Sequence, residues 1–132
     1  TLGVSDLKAT TDFYENKFGW KRSGASIGDI VFFQLNGIQL ALFPRTELAK
    51  DATVPHKGEG FKGFTLAHNL HSEKEVDELI AGLKKKGVTI VKPPQKAEWG
   101  GYSSYISDPE GNLWEIAYNP YLKMDDKGNT AG

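Results

Sequence analysis

Glu115 is the residue in this sequence best suited to chemistry. It stands in the run Leu113-Trp114-Glu115-Ile116-Ala117-Tyr118. The two-residue period of a strand sends Trp114, Ile116 and Tyr118 to one face and Leu113, Glu115, Ala117 and Asn119 to the other. The bulky apolar set faces a helix, so the carboxylate points the opposite way. There it can be held by a hydrogen bond, contact a cationic group of a ligand, or accept a proton with a raised pKa. The same alternation groups Gln39, Ala41 and Phe43. Trp99, in Trp99-Gly100-Gly101-Tyr102, is either a mobile stacking residue at a pocket mouth or the cover of a sheet or dimer edge. Tyr102, Ser103, Ser104 and Tyr105 add hydroxyl groups.

The histidines carry less. His68 shares a face with Phe64 and Leu66 and reads as a hydrogen-bonded structural imidazole in preference to a catalytic one. His71 lies close to a helix start and His56 lies in a linker. No two histidines have the i, i+4 spacing of a zinc-protease helix. The chain has no cysteine, which excludes disulfides, iron–sulfur clusters, thiolate zinc and cysteine nucleophiles. Lys84-Lys85-Lys86 complements a helix C-terminus and needs no bound anion. Gly58 to Gly63 lacks the Gly-Lys-Ser/Thr ending of a phosphate loop.

The elements that must position these groups follow from pattern. Asp6 caps a helix whose apolar face is Leu7, Phe13, Tyr14 and Phe18, stopped by Gly19. Trp20 to Arg22 is short and ambiguous. Ile30 to Leu35 and Ile38 to Phe43 form a hairpin around Asn36-Gly37, ended by Pro44. Residues 45 to about 60 read as a linker. The order then repeats. Phe64 to Asn69 is a strand, and Ser72 with Glu75 is a capping box. Val76, Leu79, Ile80 and Leu83 have helical spacing. Val88 to Val91 is a strand stopped by Pro93-Pro94. Tyr102 to Ser107 and Leu113 to Tyr118 flank the turn Asp108-Pro109-Glu110-Gly111-Asn112. The tail frays after about Leu122. Trp20 and Trp114 read as core.

Two β-α-β-β-β modules result. Gly37 and Gly111 open their last strands, Ala41 and Glu115 lie four residues on, and Pro44 and Pro120 close them. With 132 residues, the chain has room for one domain of two such halves. Lys and Arg number 16 against 17 Asp and Glu, so nothing in the charge favours nucleic acid or an anionic membrane as partner. No apolar run is long enough to span a bilayer. The expected compartment is the cytoplasm.

The opening Leu2-Gly3-Val4-Ser5-Asp6-Leu7, followed by Phe13-Tyr14 and Phe18-Gly19-Trp20, resembles that of the vicinal oxygen chelate superfamily. That group includes glyoxalase I, extradiol dioxygenases, fosfomycin-resistance enzymes and bleomycin-resistance proteins. Asp108-Pro109-Glu110-Gly111-Asn112-Leu113-Trp114-Glu115 is similar to its closing motif. The resemblance implies an α+β fold: two βαβββ modules forming a curled mixed sheet with a concave cavity and helices outside. Module one would span about 1–44, a linker 45–61, module two 62–120 and a tail 121–132. It also implies a homodimer.

Enzymes of that superfamily hold a divalent metal at four strand positions. Here the resemblance assigns Glu115 to the fourth, donorless Ala41 to the second, and the stretch Gly63 to Thr65 to the third. The first would lie upstream of Thr1. One ligand in view is too few for a catalytic site, which usually takes about three. The expectation is therefore a small-molecule-binding protein, without metal catalysis, that sequesters an aromatic or apolar ligand. Gln39, Ala41, Phe43, Thr65, Trp99, Tyr102 and Glu115 would contact that ligand, and no cofactor is expected. The alternatives are a metal-dependent lyase or isomerase with an unseen upstream ligand, and a metal-free enzyme with Glu115 as its base.

Overall fold

The computed structural model describes residues 1–62 and 64–130. The chain divides into two compact units, Thr1–Lys62 and Gly63–Gly132.

In the first unit β1 (Leu2–Val4) leads into α1 (Leu7–Asn16), β2 (Val31–Gln34), β3 (Gln39–Pro44) and α2 (Arg45–Asp51). The sheet order is β1-β3-β2, with β1 parallel to β3 and β2 antiparallel to it. The Asp6 carboxylate accepts from the Ala9 N–H at 2.9 Å and so satisfies a free donor of the first turn of α1. One face of the sheet presents Leu2, Val4, Val31, Phe33, Leu40 and Leu42, all buried. α1 lies on that face, where Tyr14 meets Phe33 and stacks on Trp20 at 5.3 Å. Removing those rings from water stabilises the unit by about 1.5–3 kcal/mol for each fully buried large side chain.

Trp20 to Arg22, ambiguous in the sequence, makes a single bridge, from Arg22 to Phe33. The supposed linker begins with α2, a seven-residue helix without a side-chain cap or any buried residue, so its sequence carried no helical signature. A Cβ on Gly3 would stand 3.2 Å from both Arg45 Cα and Leu48 Cδ2, so α2 crosses the Gly3 side of the sheet. Gly3 pairs with Phe43, which shares its face with Ala41 and Gln39.

In the second unit the order is β4 (Leu66–Asn69), α3 (Glu73–Lys85), β5 (Thr89–Lys96), β6 (Tyr102–Ser107) and β7 (Leu113–Tyr118). The sheet runs β4-β7-β6-β5. Its first and last strands are parallel neighbours, as in the first unit. The Ser72 hydroxyl caps α3 by accepting from the Glu75 N–H at 3.1 Å. The Glu75 carboxylate reaches back to the His71 N–H at 2.6 Å, one residue beyond the usual capping-box partner. α3 buries Val76, Ile80 and Leu83 over the sheet. β5 runs through Pro93-Pro94 instead of stopping there. It is an edge strand with two register shifts, where missing N–H donors are tolerated.

The β6–β7 turn is built around Asp108, only 4% exposed. Its carboxylate accepts from the Glu110 N–H at 2.9 Å, the Asn112 N–H at 2.8 Å and the Asn112 side-chain amide at 2.7 Å. Gly111 takes φ +76°. The tail does not fray at Leu122. Asp125-Asp126-Lys127-Gly128-Asn129 repeats the same turn, with Asp125 accepting from Lys127 and Asn129, closed by a bridge from Met124 to Thr130. Among the described residues no helix is long and apolar enough to cross a membrane.

Candidate functional site

The register of the second unit sorts its side chains by face. Tyr102, Ser104 and Ile106 of β6 pair with Tyr118, Ile116 and Trp114 of β7. This is the α3 side, because the Tyr102 hydroxyl donates to the Asp77 carboxylate of α3 at 2.5 Å. The opposite face carries Ser103, Tyr105 and Ser107 against Ala117, Glu115 and Leu113. On the parallel side β4 contributes Ala67 opposite Glu115 and Asn69 opposite Ala117. Strand alternation extends this face to Thr65, exposed just ahead of β4.

Glu115 therefore points where its sequence requires. It is half-buried, and among the described residues no donor or cation pairs with its carboxylate. Tyr105 stands directly across from it, at the ~4.5–5.5 Å Cβ spacing of an antiparallel pair. Partial burial, and then the Glu115 charge, raise the Tyr105 phenol above its ordinary pKa of 10.0. Tyr105 thus stays protonated and can donate. The sequence left its facing open, although the turn at Asp108 holds the clue. Once Ser107 and Leu113 close that turn, counting outward brings Tyr105 opposite Glu115.

Trp99 reaches the same face from the β5–β6 hairpin tip. Gly101 continues the ladder past Tyr102, its carbonyl accepting from the Ala97 N–H at 2.8 Å. Since Tyr102 turns toward α3, Gly101 presents its hydrogens to the Glu115 side. A Cβ there would overlap the Trp99 indole, which lies across Gly101 with 57% of its residue surface exposed. Only glycine fits beneath it. Tyr102, expected beside the ligand, is instead on the opposite face. Its hydrogen bond to Asp77, with the acidic surroundings and some burial, pushes the phenol up to about 12.

His68 lies opposite Ile116, on the α3 face with Leu66, as its pattern indicated. It keeps solvent contact, yet the protein packed around it holds the imidazole below its ordinary pKa. In the first unit Gln39, Ala41 and Phe43 do share a face, with Phe32 and Gln34. The Gln39 side-chain amide donates to the Gln34 carbonyl oxygen at 2.8 Å, and Ala41 is buried.

The donor set on the Glu115 face does not suit a divalent metal. Tyr105 and Ala67 are the cross-strand partners of Glu115, Ser103 and Asn69 those of Ala117, and neither alanine side chain offers a donor atom. Among the described residues no three His, Cys, Asp or Glu side chains are grouped to hold an ion. Gly63, within the stretch assigned to the third ligand, lies outside the described residues.

Comparison with known proteins agrees with this architecture. A family model described as the glyoxalase/bleomycin resistance protein/dioxygenase superfamily matches residues 1–116. The chain is 32% identical over 115 residues to metallothiol transferase FosB of Lysinibacillus sphaericus, covering 87% of this chain and 76% of that one. It is similar to a glyoxalase-related enzyme from Fulvimarina pelagi, with 34% identity, a TM-score of 0.86 and coverage of 99% and 93% of the two chains. A lactoylglutathione lyase from Agrobacterium tumefaciens superimposes with a TM-score of 0.71 at 27% identity, over 89% of each chain.

Proposed function

The chain belongs to the glyoxalase/bleomycin resistance protein/dioxygenase superfamily, and from that premise we propose that it binds a small molecule without using metal catalysis. The observation that carries this is the half-buried Glu115 carboxylate, which has no partner among the described residues. Burying an anion is costly unless something pairs with it. A cationic or strongly hydrogen-bond-donating ligand group would do so, with the Tyr105 hydroxyl as a second polar contact. From Gly101 to Tyr105 is four residues, roughly 13 Å along the strand. A planar group on Trp99 and a cation at Glu115 would span it over Ser103 and Ala117. Thr65 is a further polar contact in this proposal. In the first unit, Gln39, Ala41 and Phe43 are taken as ligand-facing on the sheet face that α2 crosses at Gly3. The same proposal takes the protein as a cytoplasmic homodimer.

The test is binding of dansylcadaverine, a naphthalene ring joined by a short chain to an ammonium. Cadaverine without the ring and dansylamide without the ammonium are the controls. Glu115→Gln should weaken dansylcadaverine about tenfold, the value of one charge-assisted contact, while the thermal midpoint holds. Equal affinity for Glu115→Gln, or binding no better than either control, overturns the proposal.

A second reading, a metal-dependent transferase or lyase, is favoured by the names of two relatives and by Glu115 in the closing motif. It requires ligands that Ala41 cannot supply, and the stretch Gly63 to Thr65 contains no His or carboxylate.

A further inference from the structure

We propose that α3 positions the Trp99 hairpin tip from behind, through two polar contacts that grip the base of the tip, and so sets the stacking surface offered to a ligand. The proposal rests on Trp99 serving the site described above. Lys96 and Tyr102 are cross-strand partners, the last pair before the tip. Each is tied to α3. The Tyr102 hydroxyl donates to Asp77 at 2.5 Å, and the Lys96 ammonium lies 3.1 Å from the Glu73 carboxylate. Glu73 and Asp77 are one helical turn apart, on neighbouring positions of one helix face. Two adjacent points on a rigid helix thus fix two adjacent points on a hairpin.

Beyond that base, Pro120 and the Tyr121 hydroxyl approach Gly100, and the tip's own backbone closes it. The Gly100 N–H donates to the Ala97 carbonyl at 2.9 Å, and the Ala97 N–H to Gly101. Gly100 takes φ +103°, a conformation that a side chain strains, so the tip has glycine's backbone freedom. The indole rests on Gly101 with no side chain beneath it. Holding the base limits the orientations that such a glycine-rich tip can take. Tyr102 and Asp77 are therefore positioning residues. They act on the ligand through Trp99 and touch nothing on the Glu115 face.

The test uses fluorine NMR of full-length protein carrying 5-fluorotryptophan. The chain has three tryptophans, so three resonances appear, and Trp99→Phe identifies the one of interest. In ligand-free protein, Tyr102→Phe and Asp77→Asn should each shift or broaden the Trp99 resonance while those of Trp20 and Trp114 stay. The double variant should move it no further than either single one. Dansylcadaverine should then bind about threefold or more weakly to both variants. A Trp99 resonance unmoved in both overturns the proposal, as does a moved resonance with unchanged affinity. If either variant fails to fold, Glu73→Gln and Lys96→Met make the same reading from the other contact. The ligand-free spectra decide the clamp even if dansylcadaverine does not bind wild-type protein, a result that overturns the site instead.

Discussion

A half-buried carboxylate that faces a tyrosine and has no partner among the described residues is an arrangement that folding alone does not favour. Glu115 could be replaced by an apolar residue at no visible cost to the packing of Trp114 and Ile116 on the other face. Its facing was legible because bulky apolar neighbours on alternate positions leave a strand no choice. Tyr105 and Tyr102 were not legible in the same way. Both lie in Tyr102-Ser103-Ser104-Tyr105, a run without hydrophobic alternation, and only the register separates them. His68 makes the clearest pH argument at this scale. Its imidazole is held below the ordinary value of 6.5 by loss of hydration, so the fold favours the neutral form. As pH falls through 6.5 the unfolded chain takes up its proton first. The contribution is thus complete above pH 6.5 and is lost as pH falls through the lower folded value. Urea unfolding at pH 7.5 and 5 should show a smaller acid loss for His68→Gln than for wild type. An equal loss in both would remove His68 from the account.

Elements were legible where a local rule acts alone. Asp6 and Ser72 cap the helices they announce, and glycine at positive φ closes the turns at Gly37 and Gly111. The misses lie where context decides. α2 has too few residues and too little burial to leave a periodicity, and is held by its approach to Gly3. β5 tolerates its prolines because it is the edge strand of its sheet among the described residues. The tail turn was in principle readable, since Asp-x-x-Gly-Asn occurs at both 108–112 and 125–129. The two copies differ in burial, and that difference is testable. The Asn129 side chain, and then its backbone N–H, hold the Asp125 carboxyl below its ordinary value of 3.8. The turn is therefore supported above pH 3.8 and loses that support as pH falls through the lower folded value. Amide exchange should show residues 124–130 opening in Asp125→Ala with the rest of the unit protected. Asp108→Ala, which orphans a buried turn, should lower global stability by about 1–3 kcal/mol. Equal effects from the two would contradict the assignment of one copy to the surface and the other to the core.

At the scale of the molecule, the sequence repeat corresponds to a repeated sheet plan: first and last strands run parallel in each unit. Membership of the superfamily explains that plan but does not choose among its chemistries, since one fold hosts many functions. The choice turns on donors: Glu115 has a phenol across from it, and among the described residues no three His, Cys, Asp or Glu side chains are grouped to hold an ion. The most direct measurement is native mass spectrometry of untagged full-length protein, exchanged in turn against Zn²⁺, Ni²⁺ and Mn²⁺. The account predicts a dimer that retains no metal, and that binds dansylcadaverine with or without the ions present. One ion per chain, lost in Glu115→Gln, would contradict it and establish the metal-dependent reading.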